Sequence, residues 1–100
     1  MTTIEVNIVT EEYFIKKAKP ISKASQIYLN KKYIGKNMIM IPLKDESNCE
    51  ICKKDNLYQI NLKVDCIFKK EAKKRGRGAY CYLPSEFADN KILIFKSPDY

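Results

Sequence analysis

Short runs of alternating or continuous apolar residues indicate a chain built mainly of β-strands. Residues 4–9 alternate apolar and polar side chains, which is typical of a strand with one buried face. Residues 10–19 fit either a short helix or a strand, and Pro20 ends that element in both cases. Further strands are predicted over residues 26–29, 37–43, 57–63, 79–83 and 91–95.

Two short segments break this β pattern in equivalent places. Residues 31–34 predict about one turn of helix, which Gly35 closes. Residues 84–87 predict a second turn, with Pro84 at or near its first position. The fold class expected is therefore mainly β, with one short helical turn in each half of the chain.

The two halves of the chain align with each other without a gap at an offset of 54 residues. Identical pairs include Asn7 with Asn61, Phe14 with Phe68, Ala18 with Ala72, and Tyr28 with Tyr82. The alternative is chance similarity between two β-rich segments of similar composition. A true repeat is the better interpretation, because one offset accounts for all the matches.

A repeated unit of roughly 45 residues buries little core alone, so the two copies are expected to pack together. The prediction is one domain over residues 1–100 that resembles a dimer fused head to tail. Repeat one covers residues 4–43, a joint covers 44–56, and repeat two covers 57–97. Strands 38–43 and 57–63 are expected to pair as one long hairpin about the joint.

The charge of the chain restricts its partners. A formal net charge of +7 favours nucleic acid, an anionic membrane surface or an acidic protein. No apolar stretch approaches the roughly 18 residues of a membrane span, and no secretory signal is visible, so a cytoplasmic protein is expected. The chain has no His, its acids are scattered, and it lacks phosphate-binding and nucleophile motifs. Neither an enzyme nor a bound cofactor is predicted.

The basic segment 69–78 is predicted to be a loop and is the strongest candidate for function. It holds six cations in ten residues, and Gly76 and Gly78 allow its backbone to approach a ligand closely. Lys and Arg neutralise phosphates, and Arg75 and Arg77 are suited to bidentate contact with guanine. A solvated, charged turn is the alternative.

Tyr28, Tyr80 and Tyr82 lie beside the basic segments and are suited either to stacking on unpaired bases or to packing in the core.

The four cysteines leave several interpretations open. Cys49 and Cys52 form a CxxC at the expected tip of the central hairpin, which would suit zinc only if two more thiolates joined them. Disulfides Cys49–Cys52 and Cys66–Cys81 are a second interpretation, although such bonds are rare in the cytosol. Free thiols are the third, in which Cys81 aligns with Ile27 as a small buried residue.

The segment 78–87, Gly-Ala-Tyr-Cys-Tyr-Leu-Pro-Ser-Glu-Phe, resembles the swapped-hairpin family of AbrB, MazE and SpoVT type. Residues 25–36 look like archaeal members of the same group, but Asn30 stands where the family usually has Pro, and Ala24 stands where Gly78 stands in the second copy. The resemblance implies two swapped-hairpin lobes in one chain, forming an intrachain pseudo-dimeric β-barrel.

The resemblance also implies double-stranded DNA as the ligand of the first hairpin of each lobe. The nucleic-acid-binding residues expected from it and from the basic segment are Lys17, Lys19, Lys23, Lys70, Lys73, Lys74, Arg75 and Arg77. The expected role is a transcriptional regulator or an architectural factor, acting as a monomer or a weak homodimer. The alternatives are a protein-binding module, antitoxin-like or docking on RNA polymerase or the ribosome, and an RNA-binding protein. Salt dependence separates the nucleic-acid roles from docking on an apolar surface.

Overall fold

A computed structural model describes residues 4–43 and 49–97. The expectation of a mainly β fold is confirmed. The strands are β1 (Ile4–Thr10), β2 (Phe14–Lys17), β3 (Lys19–Ile21), β4 (Ala24–Leu29), β5 (Asn37–Leu43), β6 (Cys49–Lys54), β7 (Leu57–Val64), β8 (Phe68–Glu71), β9 (Lys73–Arg75), β10 (Gly78–Pro84) and β11 (Lys91–Lys96). Single 3-10 turns, η1 (Lys31–Tyr33) and η2 (Ser85–Phe87), occupy the two segments where a short helical turn was expected. No helix in residues 4–43 and 49–97 is long and apolar enough to cross a membrane.

The strands form three antiparallel sheets. The first sheet has the order β1-β7-β6, the middle sheet β2-β11-β5-β8, and the outer sheet β3-β4-β10-β9. The described strands therefore form three sheets rather than one closed barrel.

The elements recur at the 54-residue offset found in the sequence. Strands β1 to β5 correspond in order to β7 to β11, and η1 corresponds to η2, with boundaries that agree within about one residue. Only β6 has no counterpart among the described elements. It continues into β7 through Asp55 and Asn56, which both have positive φ, as a two-residue type I′ hairpin turn requires.

Every sheet takes strands from both halves of the chain. In each sheet one pair of residues 54 positions apart lies directly opposite, namely Asn7 with Asn61, Ile27 with Cys81, and Met40 with Ile94. A pseudo-two-fold axis therefore passes through all three sheets, and the halves are interleaved. Strand β2 of the first half pairs with β11 of the second, and β8 pairs with β5 in the same way.

The expected long hairpin between strands 38–43 and 57–63 is wrong. Strand β5 pairs with β11 and β8, whereas β7 pairs with β1 and β6. The reason lies in burial: β5 is apolar on both faces and belongs in the middle layer, while β7 alternates buried and exposed residues, as an outer-layer strand does. Of the predicted joint, residues 49–54 are strand β6, and residues 44–48 lie outside the described residues.

Two apolar cores lie on either side of the middle sheet. Met38, Met40, Ile92 and Ile94 face the outer sheet, in a cluster that also includes Ile27 and Cys81. The alternate residues Ile41, Leu93 and Phe95 face the first sheet, in a second cluster with Ile60 and Leu62. The layers therefore stack with β5 and β11 buried on both faces, which explains their uninterrupted apolar runs.

Two buried alanines join the halves at equivalent positions. Ala18 N donates to Asn90 O and Asp89 N donates to Ala18 O, at 3.0 and 2.7 Å. The same two bonds recur around Ala72, which accepts from Gly35 N at 2.8 Å and donates to Lys36 O at 2.9 Å. Gly35 and Asp89 both have positive φ, so this turn has the same left-handed geometry in both repeats.

Candidate nucleic-acid interface

The exposed side of the outer sheet carries a cluster of tyrosines and cations. Strand alternation directs Ile27 and Cys81 inward and the intervening residues outward. Register places Tyr80 opposite Tyr28 and Lys73, and Tyr82 opposite Gln26. We call this surface the tyrosine face; it is formed by Lys19, Gln26, Tyr28, Lys73, Arg75, Tyr80 and Tyr82.

Cations at the edges of the tyrosine face contact its rings. Lys19 Nζ lies 5.7 Å from the centroid of the Tyr28 ring, and the Arg75 guanidinium lies 5.6 Å from that of Tyr80. Both distances are within the range of cation–π attraction. Arg75 also donates to the Tyr82 hydroxyl at 3.5 Å. Tyr80 and Tyr82 meet edge to face with centroids 4.9 Å apart, so the rings and the positive charges form one surface.

Gln26 occupies an unusual position on this face. Its side chain is only 3% exposed, and its amide Nε2 has no hydrogen-bond partner among the described residues. It lies between Tyr82 on β10 and Lys19 on β3. Buried side-chain polar groups normally have a partner, so this amide is an unused hydrogen-bonding group in the middle of the tyrosine face.

Two basic turns flank the tyrosine face. Residues 22–23 join β3 to β4 and residues 76–77 join β9 to β10, and Ser22 and Gly76 have positive φ, as the first residue of a type II′ turn requires. Because β4 and β10 are antiparallel, the turns lie at opposite ends of the sheet. From the register, the two turns are about 20 Å or more apart along the strands.

The predicted binding residues divide into four groups. Lys19, Lys73 and Arg75 lie on the tyrosine face, and Lys23 and Arg77 lie in its two turns. Lys74 pairs with the inward-facing Ala79 and so belongs to the other side of β9. Lys17 and Lys70 lie on β2 and β8, the edge strands of the middle sheet, and not on this surface.

The expected basic loop over residues 69–78 is mostly strand, which corrects the interpretation of the charge run. Residues 68–71 form β8 and residues 73–75 form β9, with the buried Ala72 between them. Charged side chains are compatible with strands here because β8 and β9 are sheet edges. Sequence reasoning also missed Gln26, whose outward place follows from the alternation of β4 once Ile27 is placed in the core.

The structure does not bring Cys49 and Cys52 together. They lie in β6 rather than at a hairpin tip, and three steps along an extended strand place their Cα atoms about 10 Å apart. Cys49 packs on the core while Cys52 is exposed, and a disulfide needs Cα atoms within about 7 Å. This geometry argues against both a disulfide and a shared zinc ion at the pair.

No disulfide joins any of the four cysteines, all of which the structure describes, and no cluster of three or more metal-ligating residues occurs in residues 4–43 and 49–97. Cys81 is the small buried residue that its alignment with Ile27 suggested. Burial raises the pKa of the Cys81 thiol to about 11, although the Lys70 ammonium lowers it.

A polar network near η1 distinguishes the first half from the second. The Tyr33 hydroxyl donates to Glu12, and Lys32 Nζ lies 3.2 Å from the same carboxylate. The bond from Tyr33 and the contact with Lys32 lower the pKa of Glu12, while burial and the Glu12 carboxylate raise the pKa of Tyr33. The equivalent positions hold Cys66 and Phe87, so the hydroxyl and its acceptor are both absent there. The network therefore satisfies a hydroxyl that only the first half contains.

No protein-family model, curated protein or solved structure matches the chain.

Proposed function

We propose that this protein binds nucleic acid through the tyrosine face and the two basic turns beside it. The observation that carries the proposal is the segregation of charge. Residues 19–29 and 73–84, which form the outer sheet with its turns, contain six of the 19 Lys and Arg of the chain and none of its 12 Asp and Glu. The remainder of the chain is nearly neutral, so the positive potential belongs to this sheet.

The chemistry of the surface suits a phosphodiester backbone. Lys19 and Lys73 are related by the pseudo-two-fold axis, and Lys23 and Arg77 extend the charge to both ends of the sheet. Contacts to phosphate give affinity and position without base readout. A negatively charged polymer longer than about 20 Å would reach both turns at once.

The resemblance to AbrB-type proteins adds duplex DNA as the first ligand to test and transcriptional regulation as the role. Interleaved pairing of β2 with β11 and of β8 with β5 supports the swapped-hairpin interpretation of the repeat. On a duplex, the two basic hairpins would contact phosphates related by the same pseudo-two-fold axis.

Fluorescence anisotropy with labelled duplex and single-stranded oligonucleotides, over a salt series from about 50 to about 300 mM, tests the proposal. The triple variant Lys19→Ala/Lys73→Ala/Arg75→Ala is expected to lose most binding. Its plot of log K against log salt should also be less steep, with a slope smaller in magnitude by about 2 to 3. The control Lys31→Ala/Lys54→Ala/Lys63→Ala removes the same charge from exposed positions elsewhere and should change affinity only slightly. Equal losses in both triple variants, or no binding of any oligonucleotide at low salt, would contradict the proposal.

A further inference from the structure

We propose that the tyrosine face binds the unpaired bases of a single strand, in preference to a duplex. Tyr28, Tyr80 and Tyr82 would stack on bases, and the Gln26 amide would hydrogen-bond to the edge of one of them. This inference rests on the proposed function, because it names the kind of nucleic acid that the same surface takes.

The tyrosines are available for stacking. Tyr28 and Tyr82 are 45% and 43% exposed, although each is a large ring on a central strand of a four-stranded sheet. Their inward neighbours already fill the core, so packing does not account for tyrosine at these outward positions. Stacking on aromatic side chains tolerates any base, since every base has a π-face, and cations beside the rings hold the backbone.

Gln26 adds a group that points to a ligand. The Gln26 residue is almost fully buried and its Nε2 lacks a partner in the part of the chain that the structure describes, at a register position between Tyr82 and Lys19. The Watson–Crick edges of bases carry acceptors and donors that are paired in a duplex and free in a single strand. A base lying against Tyr82 would supply the missing partner.

The width of the outer sheet argues against its entry into the major groove of a duplex. Four strands place the outermost backbones about 14 Å apart before side chains are counted. The major groove is about 12 Å wide and admits a helix or a two-stranded ribbon. The outer sheet is therefore too broad for the groove, whereas a single strand can lie across its surface.

The face also departs from two-fold symmetry. Gln26 is equivalent to Tyr80, and Ile21 is equivalent to Arg75. One half of the face therefore presents a ring with a guanidinium over it, and the other has an amide and an aliphatic side chain at the equivalent positions. A palindromic duplex would select the same contacts on both halves, whereas a single strand has a direction and no two-fold axis.

Anisotropy at about 150 mM salt, with single strands of about 12 nucleotides (dU, rU and mixed sequence) and a duplex of the same length, tests the inference. Single strands are expected to bind at least about tenfold more tightly than the duplex, and the dU and rU arms separate DNA from RNA.

The variant Tyr28→Leu/Tyr82→Leu should weaken single-strand binding about 5- to 100-fold. Tyr28→Phe/Tyr82→Phe keeps the rings and should bind like the wild type. Because the chain has no Trp, its emission comes from its seven tyrosines, and the part of the quenching that is lost in Tyr28→Leu/Tyr82→Leu reports stacking on these two rings.

Gln26→Met, which keeps the size but not the amide, tests the hydrogen bond. The wild type should discriminate among homopolymers of different bases, and this variant should reduce those differences. Duplex binding as tight as single-strand binding, or Leu variants that bind as well as the Phe variants, would overturn the inference and leave the proposed function standing. Equal base preferences in the wild type and Gln26→Met would overturn the role of the amide. Loss of every ligand at low salt would overturn both proposals.

Discussion

The buried thiol of Cys81 makes the stability of the fold depend on pH above neutrality. Cys81 is 3% exposed, packs opposite Ile27, and has its Sγ 3.8 Å from the carbonyl oxygen of Glu71. Burial raises the pKa of this thiol from 9.0 to about 11. In alkaline solution the unfolded chain therefore loses this proton before the folded chain does.

The size of the effect follows from linkage. Stability from this group is fully present below pH 9 and is lost as the pH rises from 9 towards 11, because only the unfolded chain ionises in that window. The free energy of unfolding should fall by about 1.3 kcal/mol between pH 8 and pH 10, and the whole shift corresponds to about 2.7 kcal/mol.

Urea unfolding followed by circular dichroism at pH 8, 9 and 10 measures this dependence in the wild type and in Cys81→Ala. The variant loses packing at every pH, by about 1 kcal/mol. Its stability should nevertheless be less sensitive to pH, so between pH 8 and pH 10 the wild type should lose about 1.3 kcal/mol more than the variant, which brings the two to about the same stability at pH 10. Cys52→Ala, which removes an exposed thiol, is the control and should leave the pH dependence unchanged. A gap between wild type and Cys81→Ala that stays constant from pH 8 to 10 would refute the reasoning.

Two further predictions concern features that differ between the repeats. Gly35 has φ +79 and open space where a Cβ would stand. Gly35→Ala should therefore destabilise the fold by about 1 to 2 kcal/mol through backbone conformation alone. Gly35→Asp, which introduces the residue found at the equivalent position 89, should destabilise it less in the same urea assay. Equal costs would contradict the backbone explanation. The lowered pKa of Glu12 gives stability that is present above its unfolded value of 4.5 and lost as the pH falls through the folded value. Glu12→Gln should therefore reduce the loss of unfolding free energy on acidification, by less than about 1 kcal/mol. Tyr33→Phe, which introduces the residue found at the equivalent position 87, should have a similar effect. If acidification destabilises both variants as much as the wild type, the network does not contribute.

The sequence alone is sufficient for the elements that follow simple patterns. The alternation in residues 4–9 and the apolar runs at 37–43 and 91–95 predict β1, β5 and β11 nearly to their ends. Both 3-10 turns are also predictable, because Pro84 and Gly35 mark boundaries by local backbone geometry. Asn30, the apparent departure from the family pattern, accepts a hydrogen bond from Lys32 N at 3.0 Å and caps η1 in a backbone conformation close to that of Pro84.

Pairing partners are not predictable from local pattern. Proximity in sequence favours pairing of β5 with the next apolar strand. The uninterrupted apolar run of β5, however, indicates that both of its faces are buried, which places it in the middle layer. The β6–β7 hairpin is hard to recognise because its signal is the pair Asp55–Asn56 rather than Asn-Gly or Asp-Gly. The charge run at 69–77 resembles a loop because edge strands, unlike interior strands, accept charged residues at successive positions.

The candidate interface is predictable in part. Charge alone points to Lys19, Lys73 and Arg75, and the structure adds that they share a surface with three tyrosines. Lys17 and Lys70 cannot be separated from them by sequence, because a charge run does not show which sheet each strand enters. Alternation in β4 places Gln26 on the outward side, but the sequence does not show that its amide lacks a partner, since that is a property of its neighbours in space.

The position of β11 has a consequence for how the chain reaches this fold. Although β11 is the last described strand along the chain, it lies inside the middle sheet, between β2 and β5. Both partners of β5 also follow it in sequence. A nascent chain therefore cannot complete the middle layer until β11 has been synthesised. Until then, the preceding strands expose apolar side chains that are buried in the finished fold. Contacts of such high sequence separation favour slow folding, so exposure to aggregation and to chaperones should be greatest during synthesis.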